Sequence, residues 1–189
     1  MSRYPVARAI TRRSGSNLAL AFAGLSPERR AGMEVLYAFC REVDALADEP
    51  GLASEERLAG LDAWERDVRA CAGCAPERPL ARELAAVVRA HGVPVDALLE
   101  IIEGMRMDVR GTRYATWEEL RMYCWRVASC VGFASQAVFG VRDGDGRAYA
   151  EALGLALQCT NIVRDVRADH AIGRVYLPDE DFARAGVDR

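Results

Sequence analysis

Two aspartate pairs carry the strongest chemical signal in the sequence. Asp44 and Asp48 lie four residues apart in REVDALADEP, and Asp165 and Asp169 repeat the spacing in NIVRDVRAD. Positions i and i+4 of a helix share one face. Like charges there cost some helix stability, and an isolated DxxxD is most often a solvated acidic face. Two features argue against that reading here. Each pair has an arginine upstream, Arg41 or Arg164, and an apolar approach. Each also continues a polar ladder: Tyr37 and Arg41 precede the first pair, and Gln158 and Asn161 precede the second.

Carboxylates at this spacing are hard oxygen ligands. They suit Mg²⁺, which keeps several waters and bridges to substrate phosphates. Four facing aspartates repel one another unless cations sit between them. Arginine forks suit the phosphate oxygens left over. The residues therefore point to a helical bundle that binds diphosphate through Mg²⁺, and they leave the organic part of the ligand open. A di-iron carboxylate centre needs Glu-x-x-His pairs. The two histidines, His91 and His170, have no glutamate three residues before them.

The elements that must position these residues read as helix after helix. Ser26-Pro27-Glu28 starts one, which runs to Pro50-Gly51 with apolar residues at helical spacing. Others follow Ser54, run from about Leu80 to Ala90 before Gly92, and open at Pro94. Thr116 and Glu119 form a capping box, and the helix behind them reaches Phe139. Gly140 to Gly146 reads as loop, and a last helix spans Arg147 to about Ala168. AIGRVYLPDEDF reads as loop and turn. No strand run, repeat or low-complexity linker interrupts the pattern. The expectation is one all-α domain over residues 1–189, a bundle around a central cavity.

Composition fits that expectation. About half of the 189 residues are hydrophobic, enough for a buried core, and the formal net charge is −3. No basic excess suggests a nucleic-acid partner. All 25 basic residues are arginine. Cys71 and Cys74 form a CxxC without a second ligand pair, so reduced thiols are expected rather than zinc. The N-terminus has no apolar h-region and the chain no stretch that spans a membrane. A cytoplasmic protein with at most peripheral membrane contact is expected.

At this point the residues resemble the squalene/phytoene synthases. YAFCREVDALADEP is similar to the first aspartate-rich motif of that family, and QCTNIVRDVRADHAIGRVYLP to the second. MRMDVRGTRYATWEELRMYCWRVASCVG resembles the stretch between them, and RRSGSNLALAF the N-terminal flap, here about residues 1–25. The resemblance implies the isoprenoid-synthase fold and Mg²⁺-dependent head-to-head joining of two prenyl diphosphates. Two farnesyl diphosphates would give presqualene diphosphate; two geranylgeranyl diphosphates would give phytoene. It implies metal ligation by Asp44, Asp48, Asp165 and Asp169 with Asn161, and diphosphate binding by Arg41 and Arg164. Ser14 and Ser16 would touch phosphate from the flap, and Tyr37, Tyr123 and Gln158 would stand at the reaction centre. Val127, Ala128, Val131 and Gly132 would line an apolar tunnel. Asp108 falls at a recurrent acidic position. Two departures stand out: Asn17-Leu18 where the flap usually has an aromatic, and a chain that reads as C-terminally truncated. A non-catalytic scaffold of the same fold is the alternative of another class, and it would be expected to have lost aspartates.

Overall fold

The computed structural model describes residues 3–15, 21–141 and 144–188. Its order is α1 (Pro5–Arg13), a 3₁₀ turn (Phe22–Gly24), α2 (Pro27–Asp48), α3 (Ser54–Ala70), α4 (Pro79–His91) and α5 (Val95–Val109). Then come α6 (Trp117–Cys124), a π-helical turn (Trp125–Ser129), α7 (Cys130–Phe139), α8 (Gly144–Ala171) and α9 (Asp179–Ala185). No strand occurs among the described residues.

Helix α2 is central. It packs against α1, α3, α4, α5 and α7. That explains why its buried positions Gly32, Met33, Val35, Leu36, Ala38, Phe39, Val43 and Ala47 cover more than one stripe. Phe39 meets Trp64 of α3 edge-on, with ring centroids 5.5 Å apart. The Ser26 hydroxyl caps α2 by accepting from the Arg29 amide. Arg30 then holds the preceding 3₁₀ turn by donating to the carbonyls of Phe22, Ala23 and Leu25. A second, smaller apolar cluster gathers Tyr114, Leu120, Tyr123, Cys124 and Ile162. Val127, in the π turn, packs against both clusters.

Four elements add to or depart from expectation. Residues 5–13, within the segment expected as flap, form α1. Pro5 opens it, and the Glu83 carboxylate on α4 accepts from the amides of Val6 and Ala7. That cap comes from distant sequence, so local reading misses it. The helix expected from Thr116 to Phe139 runs through unbroken, but it widens into the π turn at Trp125–Ser129. Segment 179–185, expected as turn, is α9, opened by Pro178 and three acidic residues. Helix α8 also begins earlier and ends later than expected, at Gly144 and Ala171.

The π turn is wedged between two glycines. A Cβ on Gly104 of α5 would come to 2.4 Å from Val127 Cγ1, and one on Gly154 of α8 to 2.6 Å from the Ser129 backbone. Only glycine admits so close an approach. No described helix is long and apolar enough to cross a membrane.

Candidate active site

The first aspartate pair sits on the last turns of α2, which ends at Asp48. The second sits near the end of α8, which stops at Ala171. A helix C-terminus carries partial negative charge and favours cations. Helix α2 has no basic residue in its last turn. Both pairs are therefore placed where helix geometry alone disfavours carboxylates.

The two helix ends face each other across a cleft of about 260 Å³. Asp44, Asp48, Asp165 and Asp169 line it, with Gln158, Asn161, Arg164, Asp108, Tyr123 and Val127 of the expected residues. Burial, and then the neighbouring Asp48, raise the Asp44 carboxyl above the ordinary carboxylate range, against the pull of Arg41 and Arg174. Asp169 is raised too, first by burial, then by Asp165, and also by Asp48 of the other pair. That repulsion between α2 and α8 is the electrostatic mark of a shared site. Asp165 behaves differently: a two-pronged contact from the Arg164 guanidinium, at 2.8 and 2.5 Å, lowers its carboxyl. Arg41 Nη1 donates to Asp44 Oδ2 at 2.9 Å.

Asp108 closes the inner wall. Tyr123 donates to it at 3.0 Å and Tyr176 at 2.8 Å. Burial raises its carboxyl to about 6, although both tyrosine bonds and Arg174 pull the other way. Tyr123 and Tyr176 stack with centroids 5.2 Å apart, and Tyr114 lies 5.6 Å from Tyr123. The segment carrying Tyr176 is pinned by backbone bonds, Asp179 N to Tyr114 O and Glu180 N to Ala115 O, at 2.9 and 3.2 Å. The Trp117 amide also donates to the Glu180 carboxylate.

Sequence reasoning gave no role to Arg174 and Tyr176, although both lie in the quoted GRVYLP. Arg174 Nη2 contacts Asp48 Oδ1 at 2.7 Å and is mostly buried. The signal was there: Gly173 ends α8 with a positive φ of 79°, and the next residue must turn back over the helix.

Other expected residues lie apart from the cleft lining. Tyr37 donates to Ser14 Oγ at 2.9 Å, so flap serine and helix α2 are tied together. Ser16 lies outside the described residues. Ala128 and Val131 are half-buried, Val131 against the main core. Gly132 packs closely on α8: a Cβ there would lie 3.1 Å from Ala150 Cβ. The apolar space near the site is made by different residues. A hollow of about 340 Å³ has Ile162, Val166, Val175, Leu177 and Phe182 in its wall. It shares Ile162, Asp169, Arg174 and Tyr176 with the cleft.

Among the described residues, no group of three or more His, Cys, Asp or Glu converges tightly enough to grip an ion unaided. The donor set still fits a hard cation. Its ligands are oxygens only, they come in opposed pairs, and Mg²⁺ takes one or two carboxylates while waters and phosphate fill the rest.

The family model for squalene/phytoene synthase matches the chain over residues 11–189. The chain belongs to the squalene/phytoene synthase family. It is 41% identical over 179 residues to a presqualene diphosphate synthase of Sinorhizobium fredii, covering 92% of this chain and 62% of that protein. It is 36% identical over 193 residues to a 15-cis-phytoene synthase of Synechococcus elongatus, covering 96% and 62%. The crystal structure of a squalene synthase from Alicyclobacillus acidocaldarius matches with a TM-score of 0.87 at 33% identity, over 97% of this chain and 69% of that one. The chain thus spans about three fifths of the length of these curated relatives.

Proposed function

We propose that the cleft binds two prenyl diphosphates and joins them head to head, with farnesyl diphosphate as substrate and presqualene diphosphate as product. One observation carries this reading: two aspartate pairs on opposed helix ends line a polar cleft that shares walls with an apolar hollow. The similarity to presqualene diphosphate synthases supports the farnesyl substrate. The similarity to phytoene synthases supports a second reading, with two geranylgeranyl diphosphates.

Asp44, Asp48, Asp165 and Asp169, with Asn161, would hold Mg²⁺, which when bound neutralises diphosphate charge and eases departure of the leaving group. The chain's own residues orient and protect. Arg41 and Arg164 offer planar forks to diphosphate oxygens. Burial raises the Tyr123 and Tyr176 hydroxyls, so both stay protonated and donate hydrogen bonds. The C–O bond of one allylic diphosphate breaks, and the diphosphate leaves with the electron pair. The double bond of the second substrate attacks the resulting cation. Loss of one proton then closes the cyclopropane ring, and the second diphosphate stays on the product. Gln158 and Tyr123 flank the reaction centre. Ile162, Val166, Leu177 and Phe182 keep water from the cation. Val127 walls the cleft, with Ala128 and Val131 behind it. Ser14 and Ser16 bring the flap to the phosphates, with Tyr37 as its anchor. Lipidic substrates make peripheral membrane contact part of the reading.

The test is a product assay with farnesyl diphosphate and Mg²⁺ and no nicotinamide, run on this chain and on a version extended to the length of its relatives. Presqualene diphosphate and free diphosphate, abolished by a chelator, support the reading. Turnover of geranylgeranyl diphosphate alone moves it to phytoene synthesis. Silence of both versions with both substrates sinks it.

A further inference from the structure

We infer that Arg174 is a resident cation of the cleft: it holds Asp48 in the metal-free protein, and divalent metal must displace it to reach that carboxylate. This rests on the reading of the cleft as a metal–diphosphate site.

Backbone geometry puts the side chain there. Helix α8 ends in a Schellman motif: Arg174 N bonds Asp169 O at 2.9 Å, and Gly173 N bonds His170 O at 3.0 Å. Gly173 takes the left-handed φ of 79° that this motif needs. The reversal returns the chain over the last turn of α8, beside Asp169. From there Arg174 crosses to α2 and meets Asp48 at 2.7 Å. Only 20% of its side chain is exposed, whereas Arg41 and Arg164 are 48% and 65% exposed. Its charge also bears on Asp44, Asp108 and Asp169. It is thus the least exposed of these three guanidiniums, and it bears on four of the five carboxylates that line the cleft, Asp44, Asp48, Asp108 and Asp169. The other two arginines each pair with an aspartate of their own helix. An internal cation of this kind keeps the opposed carboxylates from driving α2 and α8 apart when no metal is bound. It also raises the metal concentration needed to load the site, because two cations compete for Asp48.

The experiment is calorimetric titration of Mg²⁺ alone into the protein, paired with thermal unfolding with and without Mg²⁺. Arg174→Gln is expected to lower the metal-free Tm. It is expected to bind Mg²⁺ about three- to tenfold more tightly, since the potential at the carboxylates becomes more negative. Its Tm gain on adding Mg²⁺ is then larger than that of the parent protein. A merely structural arginine would lower Tm without tightening the metal. On an Asp48→Asn background, Arg174→Gln is expected to change the metal-free Tm far less. Should Arg174→Gln not fold, Arg174→Lys carries the test, because a single ammonium grips the carboxylate less firmly and Mg²⁺ should bind about twofold tighter. Variants that bind Mg²⁺ no tighter than the parent overturn the proposal while leaving the metal reading intact. A parent protein that binds no Mg²⁺, with or without inorganic diphosphate, removes the metal reading and this proposal together.

Discussion

Asp44 and Asp169 are the residues on which chemistry and folding disagree most. Each is partly buried, beside another carboxylate, and on the last turns of a helix. Replacing either by Asn removes one charge from a repulsive cluster. The metal-free protein should then be as stable as the parent or more so, while product formation falls by about 10²-fold or more, a scale typical of losing one preorganised charge at a reaction centre. Unfolding curves and product assays on the same samples separate the two effects. Asp108 gives a pH test. Its folded carboxyl is raised from 3.8 to about 6. The native state therefore binds the proton more strongly than the unfolded one. This stabilisation is fully present below about pH 4 and is lost as pH rises through 6. Compared with Asp108→Asn, the parent protein should lose on the order of 1–3 kcal/mol of stability between pH 4 and 7. Denaturant unfolding at several pH values reads this directly. Equal slopes in both proteins would discard the buried-carboxyl account.

The helices themselves stand or fall on close contacts. Gly154 admits the Ser129 backbone, which cannot yield as a flexible side chain does. Gly154→Ala should cost about 1–3 kcal/mol by overpacking, seen as a lower denaturant midpoint with unchanged slope. Gly104→Ala meets a valine methyl as its closest neighbour, at 2.4 Å, rather than backbone and should cost less. At this scale much was legible beforehand. Ser26-Pro27, Thr116-x-x-Glu119 and Gly92 marked helix ends that the structure keeps. The i, i+4 ladders put both aspartate pairs, Gln158, Asn161 and Arg164 on the faces that line one cleft. The rest depends on distant partners. Helix α1 is capped by Glu83, and the π turn is shaped by two glycines on other helices. Such contacts leave no local trace in the sequence.

Over the whole molecule, one feature of the surface is unlike the rest. Tyr149, Leu153, Leu157 and Val163 form an exposed apolar row along α8, between 41% and 68% accessible. A row of this kind is apolar surface left open to packing against another surface, and self-association is the simplest form that could be measured. Leu157→Glu combined with Val163→Glu should reduce self-association in sedimentation velocity without shifting the metal-dependent Tm gain. Loss of that gain would show that the row supports the cleft. The pinned segment behind the cleft has another consequence, for synthesis. Asp165 leaves the ribosome roughly 120 residues after Asp48, which takes about 6–24 s at 5–20 residues per second. Through that interval the first half of the site exists without its opposite wall, and Asp48 without its arginine. The cleft is assembled only when Asp179 and Glu180 dock on the backbone of Tyr114 and Ala115. The nascent chain therefore carries one acidic helix end unopposed for many seconds, and the cleft exists only after translation has passed the second motif.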